Sequence, residues 1–320
     1  MRGRAILVLI FGISFLMPFA HAQASLEVRH RASKLTAATR GNIRVDTDLV
    51  LVPVTVSDRS NRLVTGLEKE DFRLFDDRVE QTVTQFAMDD EPIAVGLVFD
   101  ISGSMGRKLR RSRQAASEFF QTANPEDEFF LVTFNDRPRL AVPLTSDTAE
   151  IENHLTFTGS KGTTALLDAI YLAMTELKKS HKPRKALLII SDGGDNNSRY
   201  TENEVKELVR ESEVLIYGIG IFEPYGSRGR SLEELGGPTL LSEIAEQTGG
   251  REFAVDDPAD IPDVAAKIGL ELRTRYVLGY SPTNPQRDGK YHRLRVQVIQ
   301  PRGVPKLQAR WRSGYYAPSE

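Results

Sequence analysis

Cysteine is absent from this chain of 320 residues, which excludes disulfide bonds, thiolate metal sites and a cysteine nucleophile. The same absence excludes a lipid-modified N-terminal cysteine. Histidine is scarce, with five residues. Neither sign of charge dominates, because 42 basic residues stand against 44 acidic ones and the net charge is −2. The composition therefore gives no electrostatic reason to expect a nucleic-acid partner.

Long apolar runs are also missing from the rest of the chain. After the N-terminal segment, no apolar stretch approaches the ~18 residues that a membrane-spanning helix needs. The N-terminus has the pattern of a secretory signal peptide at 1–22. Arg2 and Arg4 precede the apolar run 5–19, and an A-x-A cleavage pattern follows at 20–22. We expect cleavage there, export to the periplasm or the extracellular space, and no membrane anchor in the mature protein.

The pattern along the rest of the chain predicts a flexible lead-in at 23–45, followed by regions of two kinds. Residues 46–90 and 276–316 show short alternating strands with turn residues between them, which is typical of a small sandwich. In 91–275, apolar strands alternate with helical patterns, which predicts an α/β fold with a doubly wound, mostly parallel sheet. Because about 45 residues make a poor core, we predict one discontinuous β domain with the α/β domain inserted in it. Two unrelated flaps on the α/β core are the alternative.

Oxygen-bearing side chains gather where the predicted parallel strands end. Asp100, Ser102 and Ser104 follow an unbroken apolar run at alternate positions. Thr164 lies in a glycine-containing loop just before a predicted helix, and Asp192 follows a second apolar strand. Ligands of open α/β sheets bind outside the carboxyl ends of the strands. The sequence therefore predicts that two carboxylates and three hydroxyls converge at one edge of the sheet.

This donor set suits a hard cation such as Mg²⁺, with Mn²⁺ or Ca²⁺ as alternatives, because these ions take oxygen ligands. Two carboxylates neutralise a divalent ion at most, and hydroxyls fill positions without adding charge. The ion would stay electrophilic, with one position free for an acidic group from outside. We therefore expect a binding site whose metal recruits a carboxylate of a protein partner.

The same residues resemble the metal-ion-dependent adhesion site of von Willebrand factor type A domains. The D-x-S-x-S motif is present as Asp100, Ser102 and Ser104, and Asp192 matches the aspartate after the fourth core strand. A second motif, G-x-T-x-L-x-D-A, is matched by Gly162, Thr164, Leu166, Asp168 and Ala169. The resemblance covers about 90–275. It implies that the two serines and the threonine contact the metal, that the aspartates act directly or through water, and that the protein is an adhesion or protein-binding module.

The flanks resemble those of exported bacterial proteins related to this family, often from acidobacteria. The shared stretches are DFRLFDD at 71–77, RTRYVLGYSP at 273–282 and GYYAP at 314–318. The resemblance thus extends beyond the α/β region to both predicted β segments.

Two other function classes compete with metal-dependent binding. A metal-dependent, phosphatase-like hydrolase would use Asp100 as its nucleophile, but the second aspartate that such an enzyme needs is replaced by Ser102. No histidine lies in the three loops, so a Ser-His-Asp device has no evident base. We therefore expect a protein that is not an enzyme. A structural envelope protein with an inactive site is the remaining alternative.

Charged residues near the motif have simpler interpretations. We interpret the basic cluster after the motif as a solvated helix face, with a field that attracts acidic partners as the alternative. Its members are Arg107, Lys108, Arg110, Arg111 and Arg113. We expect Asp168 to support the threonine loop rather than bind metal, and Asp195 to cap a loop rather than hold a second ion. The glycine-rich loop at 223–238 fits a binding element and plain mobility equally well.

Overall fold

The computed structural model describes residues 49–319, apart from 193, 222–231, 284–286 and 301–305, and apart from the side chains of 232–238. The predicted signal peptide, the predicted lead-in and the loop at 223–238 lie outside the residues or side chains described. Within the described part, no helix has the length and apolarity needed to span a membrane.

Strands and helices alternate in the middle of the chain, whereas the described residues of both flanks form strands and one short 3-10 turn, Lys69–Asp71. The strands are β1 Val50–Ser57, β2 Phe72–Asp76, β3 Val79–Gln81, β4 Gln85–Asp89, β5 Ile93–Asp100, β6 Glu128–Phe134, β7 Pro138–Thr145, β8 Arg184–Ser191, β9 Leu215–Ile221, β10 Arg251–Val255, β11 Arg275–Tyr280, β12 Tyr291–Val298, β13 Gln308–Trp311 and β14 Gly314–Tyr316. The helices are α1 Leu109–Phe120, α2 Thr148–Phe157, α3 Leu166–Leu177, α4 Glu202–Arg210, α5 Leu232–Thr248 and α6 Ile261–Arg273.

The central sheet has the order β10-β9-β8-β5-β6-β7, and all neighbours are parallel except the edge pair β6–β7. Apolar side chains of α1, α2 and α6 pack on one face, and those of α3, α4 and α5 pack on the other. Because both faces are covered, β5 is buried along its whole length, as its unbroken apolar sequence predicts. The predicted α/β class and mostly parallel sheet are confirmed.

The two flanks form two four-stranded antiparallel sheets, in the orders β13-β1-β11-β4 and β14-β12-β2-β3. Each sheet takes strands from both sides of the α/β segment, because β1 pairs with β11 and β2 pairs with β12. Valines, leucines and aromatic residues of the two sheets share one apolar cluster. Within it, the buried hydroxyl of Tyr276 donates to the Val64 carbonyl at 3.1 Å. Whether this part folds as a domain of its own stays a prediction.

Buried charges lie where the antiparallel sheets meet the amino ends of the central strands. Asp89, the last residue of β4, lies 3.0 Å from the Arg184 guanidinium and 3.7 Å from that of Arg275. Arg184 also donates to the Glu91 carbonyl at 2.8 Å. Burial lowers the pKa of Arg275 to about 10. Removing the Asp89 carboxylate would thus leave two buried cations without this counter-charge.

Candidate functional site

The first site loop begins at Asp100, whose side chain is fully buried at the carboxyl end of β5. Its Oδ1 accepts a hydrogen bond from the Ser102 backbone N–H at 2.8 Å, a local turn that reverses the chain after the strand. Its Oδ2 accepts from the Ser191 hydroxyl at 2.6 Å. The Ser102 and Ser104 hydroxyl oxygens are 3.1 Å apart, Ser102 being buried and Ser104 exposed. The alternating motif therefore places three oxygen-bearing groups in one tight turn.

The second loop is joined to the first through backbone hydrogen bonds. The Gly103 N–H donates to the Gly162 carbonyl at 3.0 Å, and the Lys161 N–H donates to the Ile101 carbonyl at 2.9 Å. Gly162 has a φ of +86°, which a residue with a Cβ adopts only under strain. A Cβ at this position would also lie 2.6 Å from a carboxylate oxygen of Asp136. The backbone conformation of the second loop at this position therefore depends on glycine.

Two neighbouring threonines of the second loop have different environments. The Thr163 hydroxyl donates to Asp136 at 2.6 Å, and the same carboxylate accepts the Thr163 backbone N–H at 2.7 Å. Thr164 is 5% exposed, and its backbone carbonyl accepts from the N–H groups of Asn196 and Asn197. Thr163 is therefore committed to Asp136, whereas the second and third loops meet at Thr164.

The third loop follows β8, the strand beside β5, and begins at Asp192. The Asp192 carboxylate accepts a hydrogen bond from the Lys108 ammonium at 2.9 Å, and both side chains are about nine-tenths buried. The charge on Asp192 acts on Asp100. Burial first, and this negative charge second, raise the pKa of Asp100 to about 7, although hydrogen bonds from Ser191 and Ser102 oppose the shift. The two aspartates are therefore neighbours in an environment that disfavours a double negative charge.

The chemistry of this site fits a divalent cation. All five predicted ligands offer oxygen, and the two carboxylates carry the charge that such an ion requires. One cation already occupies the neighbourhood, since the Lys108 ammonium is bound to Asp192. The structure ties Asp100, Ser102, Ser104 and Asp192 together through side-chain contacts or mutual charge. It joins Thr164 to the third loop through hydrogen bonds with Asn196 and Asn197.

Comparison with known proteins agrees with the fold. Residues 95–194 match the family model described as von Willebrand factor type A domain. The chain contains a von Willebrand factor type A domain. A solved type A structure from Catenulispora acidiphila has 13% sequence identity and a TM-score of 0.50, over 78% of this chain and 74% of that one. At this identity the likeness concerns the fold alone.

Sequence relatives of the type A domain are distant. An uncharacterized protein of Borreliella burgdorferi is 26% identical over 204 residues, which are 56% of this chain and 60% of that protein. Inter-alpha-trypsin inhibitor heavy chain H4 of Bos taurus is 25% identical over 211 residues, which are 60% of this chain and 22% of that protein. The chain therefore spans under two thirds of the length of either relative.

Two residues of the type A domain contact the site aspartates although their place in the sequence does not mark them as part of the site. Ser191 ends β8 and holds Asp100, and only its place just before Asp192 could have suggested this role. The solvated helix face predicted for the basic cluster is wrong for Lys108, because this residue is 7% exposed and paired with Asp192. Charge patterning fails here because a lysine at a helix start can turn its stem inward.

Two further aspartates have the structural roles expected from the sequence. Asp195 accepts hydrogen bonds from the N–H groups of Leu166 and Leu167, so it caps the first turn of α3. Asp168 accepts from the backbone of Arg199 and Tyr200 at 2.8 and 3.1 Å. Both carboxylates fasten the third loop to α3 and thereby support the position of Thr164.

Asp76, Asp77 and His292 form a separate group of possible metal ligands in the antiparallel sheets. One ligand atom from each lies within 4.8 Å of the others, close enough to hold one ion. The Asp76 carboxylate also accepts hydrogen bonds from the Tyr280 and Tyr315 hydroxyls at 2.7 and 2.9 Å. Metal titrations therefore need variants of the strand-end site, so that binding at this second group is counted separately.

Proposed function

We propose that this protein is a metal-dependent protein-binding or adhesion module. Its metal ligands are Asp100, Ser102, Ser104, Thr164 and Asp192, and Mg²⁺ is the ion, with Mn²⁺ or Ca²⁺ as alternatives. The observation that carries the proposal is the convergence of three loops at the carboxyl edge of the sheet, where a buried aspartate pair faces hydroxyl groups. The type A family supports a function in binding rather than in catalysis.

Each residue contributes a simple property to this function. A bound divalent ion would supply a Lewis-acidic position for a carboxylate of the partner. Asp100 and Asp192 provide the negative charge, and the hydroxyls of Ser102, Ser104 and Thr164 provide neutral oxygens. Ser191 orients Asp100 from behind. The exposed position of Ser104 leaves the outer side of the site open to a partner.

The partner fitted to such a site is a protein that presents an aspartate or glutamate side chain. We further propose that the encounter takes place outside the cytoplasm, in the cell envelope or the secreted space. The pattern of a signal peptide at 1–22 supports this location. The stretches at the flanks support a place among exported bacterial type A proteins of the acidobacterial kind.

Calorimetric titration of the EDTA-treated protein with Mg²⁺, Mn²⁺ and Ca²⁺ tests the site. We expect binding in the micromolar to millimolar range, loss of binding in Asp100→Ala, and weaker binding in Thr164→Ala. Thr163→Ala is the matched control, because its hydroxyl is bonded to Asp136 and it should bind as the wild type does. Equal effects of the two threonine substitutions, or no binding by the wild type, would contradict the proposed site.

A capture experiment tests the mechanism. Cell-envelope extract is passed over the immobilised protein, over Thr164→Ala and over Thr163→Ala, and each column is eluted with EDTA. We expect a protein that EDTA releases from the wild type and from Thr163→Ala but that Thr164→Ala does not retain. A captured protein that stays on the column in EDTA would rule out a metal bridge between it and the immobilised protein. We also expect no turnover of p-nitrophenyl phosphate with Mg²⁺, and turnover abolished by Asp100→Asn would favour a hydrolase instead.

A further inference from the structure

A lysine side chain occupies part of the proposed metal site. Lys108 lies just before α1, and its ammonium is 2.9 Å from Asp192 Oδ2. Its side chain is 8% exposed and that of Asp192 is 10% exposed. In contrast, Arg110 on the same helix is exposed. Lys108 is therefore separated from the solvated basic residues around it and is directed at one of the two proposed carboxylate ligands.

Hydrogen bonds hold the backbone of Lys108 in place, whereas its side chain has a long, flexible stem. The Lys108 N–H donates to the Met105 carbonyl at 2.9 Å, and its own carbonyl accepts from the Ser112 N–H at 3.0 Å and the Ser112 hydroxyl at 3.2 Å. The ammonium sits on a flexible four-carbon stem and is a compact point charge. A shift of the ammonium away from Asp192 would therefore break none of the backbone hydrogen bonds at the start of the helix.

Charge makes the ammonium and a divalent ion competitors. Two ionised aspartates carry two negative charges, and Lys108 neutralises one of them. A divalent ion at the five ligands would meet a positive charge on a carboxylate that it also needs. Two like charges a few ångströms apart repel strongly in a site as buried as this one. Either the ammonium leaves Asp192 when the metal arrives, or the metal binds more weakly because the ammonium stays.

We propose that Lys108 is a built-in competitor of the metal, which holds Asp192 in the metal-free protein and lowers the affinity of the site for divalent cations. This inference rests on the proposed function, since it concerns the same site. In the metal-free protein, the negative charge of Asp192 is then balanced by the Lys108 ammonium. Lys108 is also a determinant of the metal concentration at which the site becomes competent for a partner.

The test is a calorimetric titration of Mg²⁺ into EDTA-treated wild type, Lys108→Met and Arg110→Met. The heat that Asp100→Ala gives is subtracted as a blank, so that binding at Asp76, Asp77 and His292 is not counted. Methionine keeps most of the stem and removes the charge. Arg110→Met is the matched control, because it removes one positive charge from the same helix without touching Asp192. We expect the Kd of Lys108→Met to fall about tenfold or more, and that of Arg110→Met to change by less than about threefold, since exposed charges are screened.

The outcomes separate this inference from the function on which it rests. An unchanged or weaker affinity in Lys108→Met, beside normal binding by the wild type, overturns the role of Lys108 and leaves the metal site intact. No binding by any of the three proteins contradicts the metal site itself. If Lys108→Met fails to fold, Lys108→Gln replaces it, because glutamine donates a hydrogen bond to Asp192 without a charge. The same tighter affinity is expected there.

Discussion

The buried carboxyl of Asp100 should make the metal-free protein less stable as the pH rises. Burial and the neighbouring Asp192 raise the pKa of Asp100 to about 7, whereas an aspartate in the unfolded chain titrates near the ordinary value of 3.8. Between these values the folded state holds a proton that the unfolded state has lost, so stability falls as the pH rises toward 7 and is level above it. From pH 5 to pH 8 the loss is about 3 kcal/mol, at ~1.4 kcal/mol for each unit of the shift.

Asp100→Asn isolates this contribution, because asparagine has the shape of a protonated aspartate and does not titrate. Its amide oxygen can accept from the Ser102 N–H, and its NH₂ can donate to the Ser191 hydroxyl, which serves as donor or acceptor. We therefore expect the free energy of unfolding of the variant, relative to that of the wild type, to rise by about 3 kcal/mol between pH 5 and pH 8. At pH 8 the variant should be the more stable protein.

Urea unfolding of both proteins in EDTA, at half-unit steps from pH 5 to pH 8, measures the difference. The titrating groups remote from Asp100 are common to the two proteins, so their contributions cancel. Parallel stability curves for the wild type and Asp100→Asn would refute the argument, because they would mean that Asp100 titrates alike in both states. Saturating Mg²⁺ gives an internal check, since it should stabilise the wild type more at pH 8 than at pH 5 and should leave Asp100→Asn nearly unchanged.

Three other changes test the frame around the site. Asp89→Ala should lower the free energy of unfolding by about 3–5 kcal/mol in urea, because it leaves two buried arginines without their counter-charge, and a loss under 1 kcal/mol would contradict the buried pairing. Gly162→Ala should weaken Mg²⁺ binding by at least about tenfold in calorimetry, since a Cβ there is strained and meets a carboxylate; an unchanged Kd would show that the loop tolerates the shift. A chain of 46–90 joined to 276–316 should fold alone by circular dichroism if the discontinuous β domain is real, whereas an unfolded product beside a stable 91–275 fragment would refute it.

The sequence predicts the central sheet well because a strand that is buried on both faces has an unbroken run of apolar residues. β5 is apolar up to its last residue, Asp100, and β8 contains an unbroken apolar run at 186–190. The edge strand β7 is mixed, as an exposed antiparallel edge should be. The start of a helix is harder to predict from the sequence. The chain after β5 first forms a separate 3-10 turn at Gly103–Met105 and becomes α-helical at Leu109, because the D-x-S-x-S turn leads directly into α1.

The site was predictable where residue type and spacing state the chemistry. Alternation in Asp100, Ser102 and Ser104 places oxygens together whatever the tertiary structure. The role of Lys108 could not be predicted, because its sequence environment is that of an exposed basic helix and only the fold brings it to Asp192. The contact of Ser191 with Asp100 could not be predicted for a related reason, since the two residues are distant in sequence and adjacent only across the sheet.

Lys108 and the proton of Asp100 both reduce the electrostatic repulsion between the two buried aspartates. Two carboxylates at the buried end of a sheet cannot both stay ionised without a counter-charge. In the metal-free protein, one of them is neutralised by a lysine and the other by a raised pKa. A divalent ion would compete with both, so its binding would be opposed by an ammonium and, below about pH 7, by a proton. The affinity of the site then depends on how firmly the fold holds these two substitutes, and it can be tuned without changing any ligand.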